Sequence, residues 1–168
     1  MEPPTPRSFA PNAVNMIRNA QAIHVRLSAM ADQKAGILMA ASFVIFTITI
    51  NQSHGTLPPP PLLVLGGFAF VSAVLTVLAI IPKTTMPKDA PVNLLFFGSF
   101  TQLPQDEFVD RVIEAMADEE TMLRTVAADL YGNGLVLQRK KYRRLEWAYR
   151  VFLTGLVASA MVFIAQYI

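Results

Sequence analysis

The 168-residue sequence predicts an all-α integral membrane protein: three transmembrane helices, with a cytoplasmic helical stalk formed by extensions of the first and third spans. Three observations predict it. Residues 35–50, 62–81 and 151–168 contain no Asp, Glu, Lys, Arg or His. The chain is 53% apolar and 15% charged, with a mean hydropathy of +0.41, which is more apolar and less charged than a soluble domain. All 14 Lys and Arg residues fall within 1–34 or 82–150, and the connector at 51–61 has none.

The elements run in order along the chain. Residues 1–11 (MEPPTPRSFAP) are proline-rich and predict a frayed tail. From Asn12, a suitable N-cap, to Lys34 the apolar residues Met16, Ala20, Ile23, Leu27 and Met30 recur at helical spacing and predict a cytoplasmic helix. Residues 35–50 (AGILMAASFVIFTITI) continue it as the first span. Sixteen residues at 1.5 Å reach about 24 Å, and Lys34 snorkelling at one end makes up the difference. Residues 51–61 (NQSHGTLPPPP) form an external loop closed by four prolines, and 62–81 form the second span by length alone. Residues 82–150 make a cytoplasmic helical region, with one helix from about Gln105 to Ala117 and a longer one from about Asp118. In the longer one Tyr131, Leu135, Gln138, Tyr142, Leu145, Tyr149 and Phe152 alternate in steps of four and three, a coiled-coil-like seam leading into the third span at 151–168.

Orientation follows from charge. Lys and Arg stay on the cytoplasmic side of a membrane, so the N-terminus and 82–150 are expected inside and the C-terminus outside. No signal peptide is expected, because Arg7, Arg18, Arg26 and Lys34 punctuate the first 34 residues. The first and third spans then run in the same direction, and their cytoplasmic extensions are expected to lie parallel.

Chemistry is sparse. With no cysteine and only His24 and His54, neither a thiolate site nor a histidine metal site is expected. No Ser-His-Asp arrangement, phosphate-binding loop or dinucleotide turn is present, so an enzyme, a catalytic residue and a cofactor are not expected. Spans without ionisable groups argue against a conventional carrier. Residues 139–150 (RKKYRRLEWAYR) hold six bases and one acid. They read either as an anchor on anionic headgroups or as an anion-binding site. Residues 106–120 hold seven acids and one base and read as a solvated helix. Asp32, beside the first span, needs a partner, and Lys34 or Arg150 is expected to supply it as a structural ion pair. The small-residue pairs Gly36 with Ala40, Ala69 with Ala73 and Gly155 with Ser159 permit close packing within or between subunits.

Three stretches carry a family resemblance: IHVRLSAMADQKAGIL (23–38), NLLFFGSF (93–100) and DLYGNGLVLQRKKYRRLEWAYRVFLTGL (129–156). In that order, with the spans between them, the chain resembles the membrane effectors of Pycsar antiphage systems. The resemblance implies an abortive-infection effector. A partner pyrimidine cyclase makes cCMP or cUMP, and the messenger turns the effector against the inner membrane. It implies no nucleic-acid partner and supplies no ligand residues. An anionic ligand with an aromatic base suits Arg26 and Arg143 for the phosphate and Phe97 and Tyr142 for stacking. A homo-oligomer in the bilayer is expected, since three spans with no polar lining enclose no ion path. The alternative is a small oligomeric channel or scaffold subunit without nucleotide gating.

Overall fold

The structure, a computed structural model, describes residues 8–53, 55, 57–82, 91–166 and 168, and no strand occurs among them. The expected tail up to residue 7, His54, and the stretch 83–90 lie outside the described residues. The helices are α1 (Ala13–Asn51), α2 (Pro60–Ile80), α3 (Phe97–Phe100), α4 (Gln105–Met116), α5 (Glu119–Val136) and α6 (Arg143–Ala165), with a π-helical turn at Leu137–Tyr142 between the last two. Three helical stretches are long and apolar enough to cross a membrane: Ala13–Asn51, Pro60–Ile80 and Glu119–Ala165. The chain forms two compact units, one of residues 27–81 and 136–168, the other of residues 1–26 and 82–135.

In the first unit, α1 and α6 run the same way and α2 runs against both. Tyr142 reaches Leu27 and Tyr149 reaches Lys34, so numbers rise together along α1 and α6. Along α2 and α6 they run oppositely: Pro61 meets Ser159, Ser72 meets Ala148 and Leu78 meets Arg144. α2 starts inside the proline run because its first residues lack only N–H groups that no helix start uses. Gly55, with φ of 82°, turns the chain back between α1 and α2.

The interior of this bundle is built from small residues. Ala31, Ala35, Leu38, Ser42 and Thr49 of α1 are buried in steps of four, three, four and seven, a 3.5-residue repeat. Against them lie Leu145 and Ala148 of α6, and in α2 Gly66, Ala69, Ser72, Thr76 and Ala79 are buried. Two of the buried hydroxyls are spent on backbone, Ser72 Oγ donating to Ala148 O at 2.9 Å and Thr76 Oγ1 to Ser72 O at 2.8 Å, while Ser42 Oγ has no partner among the described residues. Ile37, Phe43, Val44, Phe70, Val157 and Met161 point outward and are exposed. Small groups inside and large apolar groups outside is the arrangement that hydrocarbon surroundings stabilise, because packing and not water exclusion holds such helices together.

The other unit contains α3, α4, most of α5 and nearly the first four turns of α1. The Phe100 ring stacks on Phe108 of α4, centroids 4.7 Å apart. Asp118 caps α5, accepting from the Thr121 N–H and hydroxyl, each at 2.8 Å. Those two donors, the hydroxyl foremost, hold its carboxyl below the usual carboxylate range.

The seam expected along the last long helix is corrected by the π-helical turn. There the Arg143 N–H reaches back five residues to Gln138 O. One extra residue in a turn shifts the face by about 100°. After the turn, Tyr142, Leu145, Tyr149 and Phe152 pack inward as expected. Before it and at its start, Leu135 is half-buried as expected, but Tyr131 and Gln138 are exposed, and their neighbours Leu130 and Leu137 are half-buried and buried. A heptad written straight through a π turn cannot keep one face.

Candidate functional site

The densest set of specific contacts lies where α6 begins. The π turn is basic, with Arg139, Lys140 and Lys141 in succession, and it delivers Lys141 and Tyr142 to α1. Lys141 Nζ lies 2.8 Å from both carboxylate oxygens of Asp32 and 2.8 Å from Ser28 Oγ. Tyr142 donates its hydroxyl to Leu27 O at 3.1 Å, and seven residues on Tyr149 donates to Lys34 O at the same distance. Arg144 bonds Leu78 O at 2.5 Å, satisfying a carbonyl in the last turn of α2. The start of α6 is thus tied to both other helices of its unit.

Asp32 therefore has a partner, but neither of those expected. Lys141 takes it, while Arg150 pairs with Glu146 on its own helix at 2.5 Å and lies over the Trp147 ring. Register is the reason. Helical side chains lean toward the N-terminus, so the Tyr142 and Tyr149 hydroxyls meet α1 about one turn below their own Cα atoms. Taking Val151 as level with Ala35 places α6 about a turn too low. Asp32 is far from buried, its side chain 48% exposed and that of Lys141 23%. The pair should be worth about 0.5–1 kcal/mol, well short of a buried one. Asp32→Ala and Lys141→Ala should each lower the melting temperature of the purified protein, and the double variant should lose less than their sum by about that amount. Additive losses, or coupling of Asp32 to Arg150 instead, would remove the assignment.

On the outer side of the same turns Gln138, Arg139, Tyr142, Arg143 and Glu146 line a surface recess of about 440 Å3. A smaller one of about 340 Å3 is lined by Lys34, Tyr142, Leu145, Glu146 and Tyr149. Both fall within the roughly 300–1,000 Å3 of small-molecule sites, and the larger is the more basic. Of the four sequence-derived candidates it unites Tyr142 and Arg143; Arg26 and Phe97 belong to the other unit. It adds Arg139 and Gln138, which sit one turn before Arg143 and Tyr142 and were legible as part of the basic stretch. Two guanidiniums, a carboxamide and a phenol ring provide donors and a stacking face for an anion carrying a ring. Glu146 is occupied by Arg150 and so offers less repulsion.

The other unit holds a cluster that sequence reasoning missed. Asp129 is 6% exposed, and its carboxylate accepts from Asn93 Nδ2 and Asn133 Nδ2, each at 2.9 Å. The Asn93 N–H donates to Ser99 Oγ at 2.8 Å, and Asn93 Oδ1 accepts from the Leu95 N–H at 2.9 Å. His24 packs beside Gly134, where a β-carbon would sit 3.3 Å from its Cε1. The contacts join NLLFFGSF to DLYGNG; a polar residue heading an apolar stretch was the signal available. Asp129→Ala removes a buried acceptor from two amides, that of half-buried Asn93 and that of exposed Asn133. It should cost about 1–3 kcal/mol and speed proteolysis between residues 91 and 135, with residues 136–168 staying protected. Unchanged proteolysis would mean the cluster holds nothing.

Comparison with known proteins places these features in one frame. A family model described as the Pycsar effector protein domain matches residues 15–166. No curated protein and no solved structure matches the chain.

Proposed function

The chain belongs to the Pycsar effector family, and from that premise we propose that it is an antiphage effector switched on by a cyclic pyrimidine nucleotide, cUMP or cCMP, which a partner cyclase makes, and that it then impairs the inner membrane. It acts without catalysis and without a cofactor. The observation that carries this reading is the extent of the family match, which takes in both the apolar helices and the recess at 138–146. The N-terminus lies in the cytoplasm and the C-terminus in the periplasm, as the placement of Lys and Arg favours. The cytoplasmic extensions of α1 and of the last span form the stalk.

A cyclic mononucleotide carries one negative charge and one ring. Its phosphate sits between Arg139 and Arg143, and its base lies on Tyr142. The same tyrosine donates to Leu27 O, and its neighbour Lys141 holds Asp32, so the ligand competes with a clasp between two spans. A ligand shifts an equilibrium only by its differential affinity for the two states, and a residue shared by site and clasp supplies that difference. The π turn gives the movement a defined form: relaxing it to α-helix changes by about 100° the face that residues 138–142 present. Membrane damage requires several copies, because the interior of one bundle is full; Ser42, Ser72, Thr76 and Ala148 are all at 0% exposure.

The test is dye release from liposomes holding the purified protein. Release with micromolar cUMP or cCMP, and not with cAMP, is expected. Release without nucleotide would replace this reading with an ungated channel. No release under any condition, with correct insertion, would leave a scaffold.

A further inference from the structure

α4 offers the assembly just proposed a surface apart from the three long apolar helices. At 100° per residue, Ala115, Phe108, Val112, Met116, Val109 and Ile113 cover about 160° of its circumference. Its own unit uses half of that arc. Phe108 stacks on Phe100, and Phe108, Val112 and Ala115 are half-buried. The other half is open, with Val109 43%, Ile113 62% and Met116 68% exposed, and no residue of α4 is fully buried. An apolar stripe at positions 109, 113 and 116 is the spacing by which one helix face meets another.

Two occupants compete for it, a membrane surface and a protein, and charge decides. The polar face of α4 carries Asp106, Glu107, Asp110 and Glu114 against the single base Arg111, which Glu107 already holds. Helices that lie on bilayers carry Lys and Arg there, and an anionic leaflet repels this one. A protein partner with basic residues fits, and this chain carries such a segment at residues 139–150, where Lys141, Arg144 and Arg150 are held within the protomer while Arg139 and Arg143 form no ion pair among the described residues. Asp106, Asp110 and Glu114 form no ion pair among the described residues.

We infer that the Val109–Ile113–Met116 face of α4 docks onto a second copy of this chain, Asp106 and Asp110, the acids that border that face, meeting basic residues of that copy while Glu114 lies farther round the helix, and that this contact holds the effector in oligomers before any messenger arrives. The inference rests on the oligomeric reading above but needs no nucleotide, so the two can fail separately.

The experiment uses the full chain in native membranes, with p-benzoylphenylalanine at position 113 and, for comparison, at position 114 on the acidic face. Irradiation of the 113 variant without nucleotide should give a product of twice the chain mass, both halves mapping to this sequence, at several times the yield from 114. Ile113→Asp, read with the photoprobe moved to Met116, should cut that product at least fivefold while insertion stays unchanged. Equal yields from 113 and 114, monomer only, or products with lipid or with a different protein would overturn the proposal. Leakage that responds to nucleotide while the product is absent would sink this surface alone.

Discussion

Gly155→Val should leave little correctly folded protein, and the melting temperature of what is recovered should fall steeply. Gly155 is buried where α6 crosses α2, and a β-carbon there would overlap the β-carbon of Phe68. The obstruction is not a side-chain tip that can swing away, since Phe68 Cβ moves only with its backbone. Overpacking costs about 1–3 kcal/mol, and the higher end applies when backbone must shift. Here a shift would also strain the Ser159 to Pro61 and Ser72 to Ala148 hydrogen bonds, which lie on either side along the same interface. Gly36→Val and Gly67→Val are the controls. Nothing lies within 4 Å of a β-carbon at either position, so each should stay within about 0.5 kcal/mol of the parent. Thermal unfolding of detergent-purified protein reads all three. Equal stability of the Gly155 and Gly36 variants would mean that α2 and α6 do not pack as described.

That contrast also marks how far the sequence could be read. Three charge-free runs sufficed for the three long apolar helices, because length and composition alone decide whether a helix suits hydrocarbon. The parallel course of α1 and α6 followed from counting crossings. The small-residue pairs looked alike in sequence, yet Gly155 and Ser159 face α2 while Gly36 and Ala40 face outward. Which face a helix turns inward depends on three helices at once, and no single pattern carries that.

The partner of Asp32 was missed for a subtler reason. A register of one turn decides between Arg150 and Lys141, and it is set by where the Tyr142 and Tyr149 hydroxyls find carbonyls. The π turn left no legible mark in LQRKKY, since a five-residue hydrogen bond needs no special residue. The Asn93–Asp129–Asn133 cluster joins positions 36 residues apart, a pairing invisible without an explicit contact. In the candidate site, Tyr142 and Arg143 were legible as an aromatic next to a base in a basic run; their company with Gln138 and Arg139 required helical geometry.

The recess gives the sharpest functional expectation. Arg139→Ala and Arg143→Ala should each weaken binding of cUMP or cCMP about ten- to a hundredfold, the equivalent of roughly 1.5–3 kcal/mol for a charge-assisted phosphate contact. Half-maximal dye release should move to higher nucleotide by the same factor, with maximal release unchanged. Arg144→Ala distinguishes a site from a mere excess of positive charge. Arg144 is on the same turn and carries the same charge, but it does not line the recess and is spent on Leu78 O. It should lower stability and leave nucleotide affinity within about twofold. Tyr142→Phe separates the two tasks of that residue: the ring still stacks, but the hydroxyl no longer ties α6 to Leu27. Binding should persist, and release should begin at lower nucleotide or without any, because the clasp that the ligand must break is already weakened. Arg26→Ala and Phe97→Ala report whether residues of the other unit contribute, as the sequence suggested. If Arg139→Ala, Arg143→Ala and Arg144→Ala all weaken binding alike, the basic turn acts as a charged anchor on the membrane and the messenger binds elsewhere.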